Sequence, residues 1–123
     1  MSHTTDSRAD SSSGRRTILG VLVHLIGLPF GILGVGLVYL VADADFTESN
    51  ARNALNWWVF VFGAGIAIIV MAFVLGAVID IFVILAALLA IVLGFLGLGF
   101  SIWATVKAAG GEAWKYPLAP SLF

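Results

Sequence analysis

The stretch TILGVLVHLIGLPFGILGVGLVYLV, residues 17 to 41, contains no charged side chain and one proline. As a single helix it would be about 37 Å long, longer than the roughly 30 Å of bilayer hydrocarbon. Such a segment must tilt or bend, and Pro29-Phe30-Gly31 is the place to bend. Two arrangements follow. In the first the segment spans, so that the loop 42–56 and the C-terminal tail share one side while the N-terminal tail and Asp80 share the other. The basic residues then divide evenly, Arg8, Arg15 and Arg16 against Arg52, Lys107 and Lys115, and the positive-inside rule gives no orientation. In the second the segment returns at Pro29 as a re-entrant hairpin, and all these basic residues share one face. Backbone that fails to span is tolerated at membrane depth only when protein covers it, so a full span is the expectation and the hairpin the open alternative.

Moving outward, the whole 123-residue chain is 61% hydrophobic and 11% charged, with a mean hydropathy of +1.09. A water-soluble fold of this length could not hide that much apolar surface. The sequence predicts an all-helical integral membrane protein with three hydrophobic segments, the first kinked or re-entrant at Pro29, and a multi-pass location in the cell membrane with the lipid bilayer as its first partner. Residues 1–16, MSHTTDSRADSSSGRR, are polar and aperiodic and read as a disordered tail. Residues 17–123 read as one helical membrane domain, with helices at about 17–41, 47–75 and 81–108 and an interfacial segment at 109–123. Asp45 and Glu48 have capping-box spacing, Thr47 is an alternative cap, and Asp80 is placed to cap the third helix. Trp114 and Tyr116 suit the headgroup layer.

Small residues recur at helical spacing in two places. The third segment carries Ala86, Ala90, Gly94, Gly97, Ser101, Ala104 and Ala108; the first carries Gly20, His24, Gly27, Gly31 and Gly34. In lipid, close backbone approach along such stripes is a main source of helix association. Both are expected to be packing seams within the chain, and they also offer a surface for a homo-oligomer or another membrane protein. His24, the sole histidine after residue 16, lies on such a seam and is expected to be a neutral imidazole bonded to a backbone carbonyl. Asn50, Asn53 and Asn56 step around an arc of about 120° before Trp57 and Trp58. Most of these amides should be hydrated, with Asn56 tying the second helix to the region 111–117.

The sequence lacks GxSxG, a P-loop, HExxH, paired histidines and facing carboxylates, and it has no cysteine. No catalytic, cofactor-binding or metal-binding residues are assigned, and a near-neutral net charge argues against nucleic acid. Arg15-Arg16 ahead of an apolar run has the outline of a twin-arginine signal, but the run is too long and further spans follow. The expectation is a non-enzymatic component that acts through helix packing or in translocation; a small oligomeric channel or transporter subunit is the alternative.

ARNALNWW (51–58) and VKAAGGEAWKYPL (106–118) resemble a family of small prokaryotic membrane domains similar to the Tic-twenty subunit of the chloroplast inner-envelope import machinery. The resemblance covers residues 20–123. It rests on His24 and Leu25, on Ala54, Leu55 and Asn56, and on Lys107, Ala108, Gly111, Glu112, Trp114, Lys115, Tyr116, Pro117 and Leu118. Ala113 stands where that family often has an aromatic residue.

Overall fold

A computed structural model describes residues 17–123; the expected disordered tail at 1–16 lies outside the described residues. These form three helices and, among themselves, no strand: α1 (Ile18–Val41), α2 (Asp45–Val70, prolonged by a π-helical turn at Met71–Leu75) and α3 (Ile81–Ala109). All three helices are long and apolar enough to cross a membrane.

The path of α1 differs from the expected full span. Thr17, at its start, shares a hydroxyl–hydroxyl hydrogen bond with Thr47, and His24 bonds Asn50. A methyl group at Gly20 would meet the Phe46 ring at 2.7 Å, and one at Gly27 would collide with the Trp58 indole. The first half of α1 therefore runs parallel to the start of α2. Since Val41 precedes Asp45 by only four positions, the second half must come back. The reversal is at Gly31, whose φ of 56° and ψ of −137° are non-helical and lie in a region open to glycine. Helical legs at 18–30 and 32–41 meet there, and Gly34 lets them pass: a side chain at that position would meet Phe30 Cβ at 2.6 Å and Ile26 Cγ2 at 2.8 Å. The alternative of a re-entrant hairpin is thus the observed one, with the turn two residues beyond Pro29.

Val23, Val35 and Val38 from the two legs pack with Ala51, Ala54, Leu55, Trp57, Ala104 and Tyr116 in one core. The tip reaches Val61 and Phe62, leaving α2 to run on for about 20 Å. Past the tip, of the described helices α2 and α3 remain, joined by a turn containing Asp80. Asp80 is exposed and its side chain makes no capping bond. The N-cap of α2 is Ala44, also without a side-chain bond, so neither Asp45 nor Thr47 caps as expected; Thr17 does, accepting from the Gly20 amide at 3.0 Å. The C-terminal end of α3 closes at Gly110 and Gly111, the latter at φ 93°, with the Glu112 amide donating back to Lys107 O at 3.0 Å.

Candidate functional site

The strip 112–123 folds back over the end of the bundle that holds Thr17, and three amides from α2 and one imidazole from α1 hold it there. Asn50 and His24 are both fully buried. The Asn50 amide donates from Nδ2 to Phe46 O at 3.0 Å, which turns its Oδ1 towards His24 Nε2, 2.7 Å away. An acceptor at that distance assigns the proton to Nε2, leaving Nδ1 to accept from the Tyr116 hydroxyl at 2.6 Å. The result is a directed chain, Tyr116 O–H to His24 to Asn50 to Phe46 O, linking the strap, α1 and α2. His24 was expected to meet a backbone carbonyl; two side chains take that place.

The other two amides grip the strap backbone. Asn53 Nδ2 donates to Ala113 O at 3.1 Å, and Asn56 Oδ1 accepts from the amides of Leu122 and Phe123 at 3.1 and 3.0 Å. The expected tie between Asn56 and residues 111–117 is therefore made by Asn53. None of the three asparagines is a wet surface residue, because the hairpin legs and the strap cover all of them. In surroundings this apolar an unpaired amide would be costly.

Aromatic rings fill the space beneath the strap. Tyr116 stacks on Trp57 at 5.6 Å and 17°, and Phe100 meets Trp57 and Trp114 edge-on at 5.3 and 5.8 Å. Burial pushes the Tyr116 phenol above its ordinary value, with the Ser101 hydroxyl beside it acting in the opposite direction. Ser101 is itself fully buried and, among the described residues, lies outside hydrogen-bond geometry with any partner, as do the indole nitrogens of Trp57 and Trp58. A phenol held neutral by the fold contributes stability below the usual tyrosine range, and that contribution is lost as pH rises past about 10, where the unfolded chain ionises. In detergent, unfolding of the native chain should become easier above that pH, and Tyr116→Phe should flatten that part of the profile. Parallel profiles for the two proteins would contradict the buried position of the phenol.

The charged residues at this end stay outside the buried layer. Arg52 pairs with Glu48 at 3.1 Å and Lys107 with Glu112 at 3.7 Å, all at least one-third exposed, so each pair adds little. Lys107 also lies 5.2 Å from the Trp103 ring centre. Among the described residues no group of three or more His, Asp or Glu side chains could hold a metal ion.

On the first seam Gly20, His24 and Gly27 are buried against α2, while Gly31 and Gly34, half-buried, build the reversal. On α3, Ala86, Gly97, Ser101, Ala104 and Ala108 are buried, but Ala90 and Gly94 are exposed. These two, with Gly65 and Leu28, line an open groove of 490 Å³ beyond the hairpin tip. Of the other motif residues, Ala54 and Leu55 are in the core, Trp114 is half-buried, and Leu25, Gly111, Lys115, Pro117 and Leu118 are exposed. The sequence reading places Asn50 and Asn53 in water and gives Phe46 and Trp58 no part in the site. For the two amides the signal is their spacing, readable only once the hairpin is known to cover them; for Phe46 and Trp58 the sequence carries none.

Residues 15–123 match the model of the MamF/MmsF family, described as the magnetosome magnetite crystal formation protein family. No curated protein and no solved structure matches the chain. The comparisons thus give a small prokaryotic membrane family, and they lend no support to similarity with the Tic-twenty subunit.

Proposed function

The chain belongs to the MamF/MmsF family of magnetosome magnetite crystal formation proteins, and on that premise we propose that it takes part in magnetite crystal formation as a non-enzymatic component of the magnetosome membrane, acting by packing against other membrane helices. The observation carrying this reading is the groove past the hairpin tip. Among the described residues a methyl group at Gly65 or Gly94 would touch nothing within 4 Å, so these two glycines pack against no described part of the chain, although small residues in lipid favour close helix approach. The polar groups agree with this reading: His24, Asn50, Asn53 and Asn56 spend their bonding capacity inside the molecule, whereas a channel or translocation path calls for polar groups along its lining.

Gly94→Leu tests this reading. The single molecule should tolerate the change, with a thermal midpoint in detergent within a few degrees of the parent. Crosslinking and affinity purification from membranes should recover a membrane-protein partner or a second copy with the parent chain and lose most of it with the variant. Equal recovery with both chains, or no crosslinked species with either, would refute the packing role.

A further inference from the structure

We infer that the molecule is a wedge that favours bilayers curved so that the leaflet holding the hairpin is convex. The basis is the number of helical rods at each depth. Alongside the start of α2 lie both legs of α1, together with α3 and the strap; past the tip at Val61 and Phe62, α2 and α3 are the helices of the described residues that continue. Both legs belong in hydrocarbon, not water, because their outer faces are apolar from end to end: Ile18, Leu33 and Leu40 are 78, 79 and 79% exposed. The first leg, 18–30, lines about 18 Å of depth beside α2, and α2 runs on for about 20 Å past the tip, which puts the reversal near the middle of the bilayer.

A helix with its side chains is 10–12 Å across, so two additional legs occupy roughly 200 Å² more lateral area in one leaflet than in the other. Grooves of 490 and 290 Å³ flank α2 and α3, opening at the level of Leu28 and of Leu118 in the strap and running on past the tip along Ile68, Ile69 and Ala90 on one side and Ala67, Met71 and Leu89 on the other, where the described chain leaves the difference unfilled. In a flat bilayer the lipids of the far leaflet must spread into that space, whereas bending the membrane towards the hairpin side relieves the mismatch. The recognised partner is therefore a lipid surface of one sign of curvature. This goes beyond the proposed packing role and does not depend on it.

The test uses the full chain carrying Lys115→Cys, an exposed position in a sequence without cysteine, reconstituted sparsely into phosphatidylcholine–phosphatidylglycerol vesicles of mixed diameter. A membrane-impermeant thiol dye marks molecules whose strap faces outward, and a permeant dye added afterwards marks the rest. Outward-facing molecules should be several-fold denser per unit of lipid area on the smallest vesicles than on the largest, and inward-facing molecules should show the reverse. A double substitution, Gly65→Phe with Gly94→Phe, widens the narrow half at two open positions and should weaken both trends. Equal densities at all diameters, the same trend in both orientations, or an undiminished trend in the double variant would overturn the inference.

Discussion

Gly27→Leu should be the most damaging single substitution on the hairpin. The Trp58 indole occupies the place a side chain at 27 would need, and both residues belong to elements held by further contacts, Gly27 between the anchors at His24 and Gly31 and Trp58 within α2. A leucine at 27 must displace the Trp58 ring from the seam, which opens the interface that joins α1 to α2. Overpacking of this kind costs about 3 kcal/mol, and here it would also loosen the cover over the asparagines. Thermal unfolding in detergent should show a drop of many degrees. Gly36→Leu, where a methyl would meet nothing within 4 Å, is the matched control and should remain near the parent. Similar stabilities for the two variants would mean that α1 does not lie against Trp58.

Asn50→Leu should come next. Leucine has asparagine's branching and heavy-atom count but bulkier methyl groups, so no cavity opens; the His24 Nε2–H loses its acceptor, while Phe46 O gives up only the side-chain donor it has beyond its helical backbone bond. Each buried polar group left unpaired costs about 1–3 kcal/mol. Because the imidazole is oriented from both sides, the loss should spread to Tyr116. A double-mutant cycle of Asn50→Leu with Tyr116→Phe should show coupling of about 1 kcal/mol although the two side chains are joined only through His24. Strict additivity would indicate that the three groups do not act as one chain.

The helical, membrane-bound character was legible in the sequence, since three long runs without a water-soluble alternative leave little choice. Glycine at four- and three-residue spacing shows where backbones can approach, and Gly20, His24 and Gly27 lie buried on one face of α1. The reversal was not legible. Apart from His24 both legs are apolar or small throughout, and a spanning helix and a hairpin bury similar residues, so the hydrophobic pattern does not separate them. One residue decides it: Gly31, whose φ and ψ leave no periodic trace. Reading α1 as spanning then removed the cover from Asn50, Asn53 and Asn56, which is why they were expected to be wet. Two features of the sequence agreed with the hairpin all along. It brings Arg52, Lys107 and Lys115 to the end where Thr17 lies, directly after Arg15 and Arg16, and it gives three amides in an apolar chain something to bond. By the positive-inside rule that end should face the cytoplasm.

The sidedness of α1 is the most direct test. Single cysteines introduced by Ser13→Cys, four positions ahead of Thr17, and by Asp43→Cys, Asp80→Cys and Lys115→Cys can each be probed in sealed vesicles with an impermeant thiol reagent. Positions 13, 43 and 115 should be labelled from the same face and position 80 from the opposite one. Labelling of position 13 together with position 80 would make α1 a full span and contradict the hairpin, the buried asparagines and the wedge together.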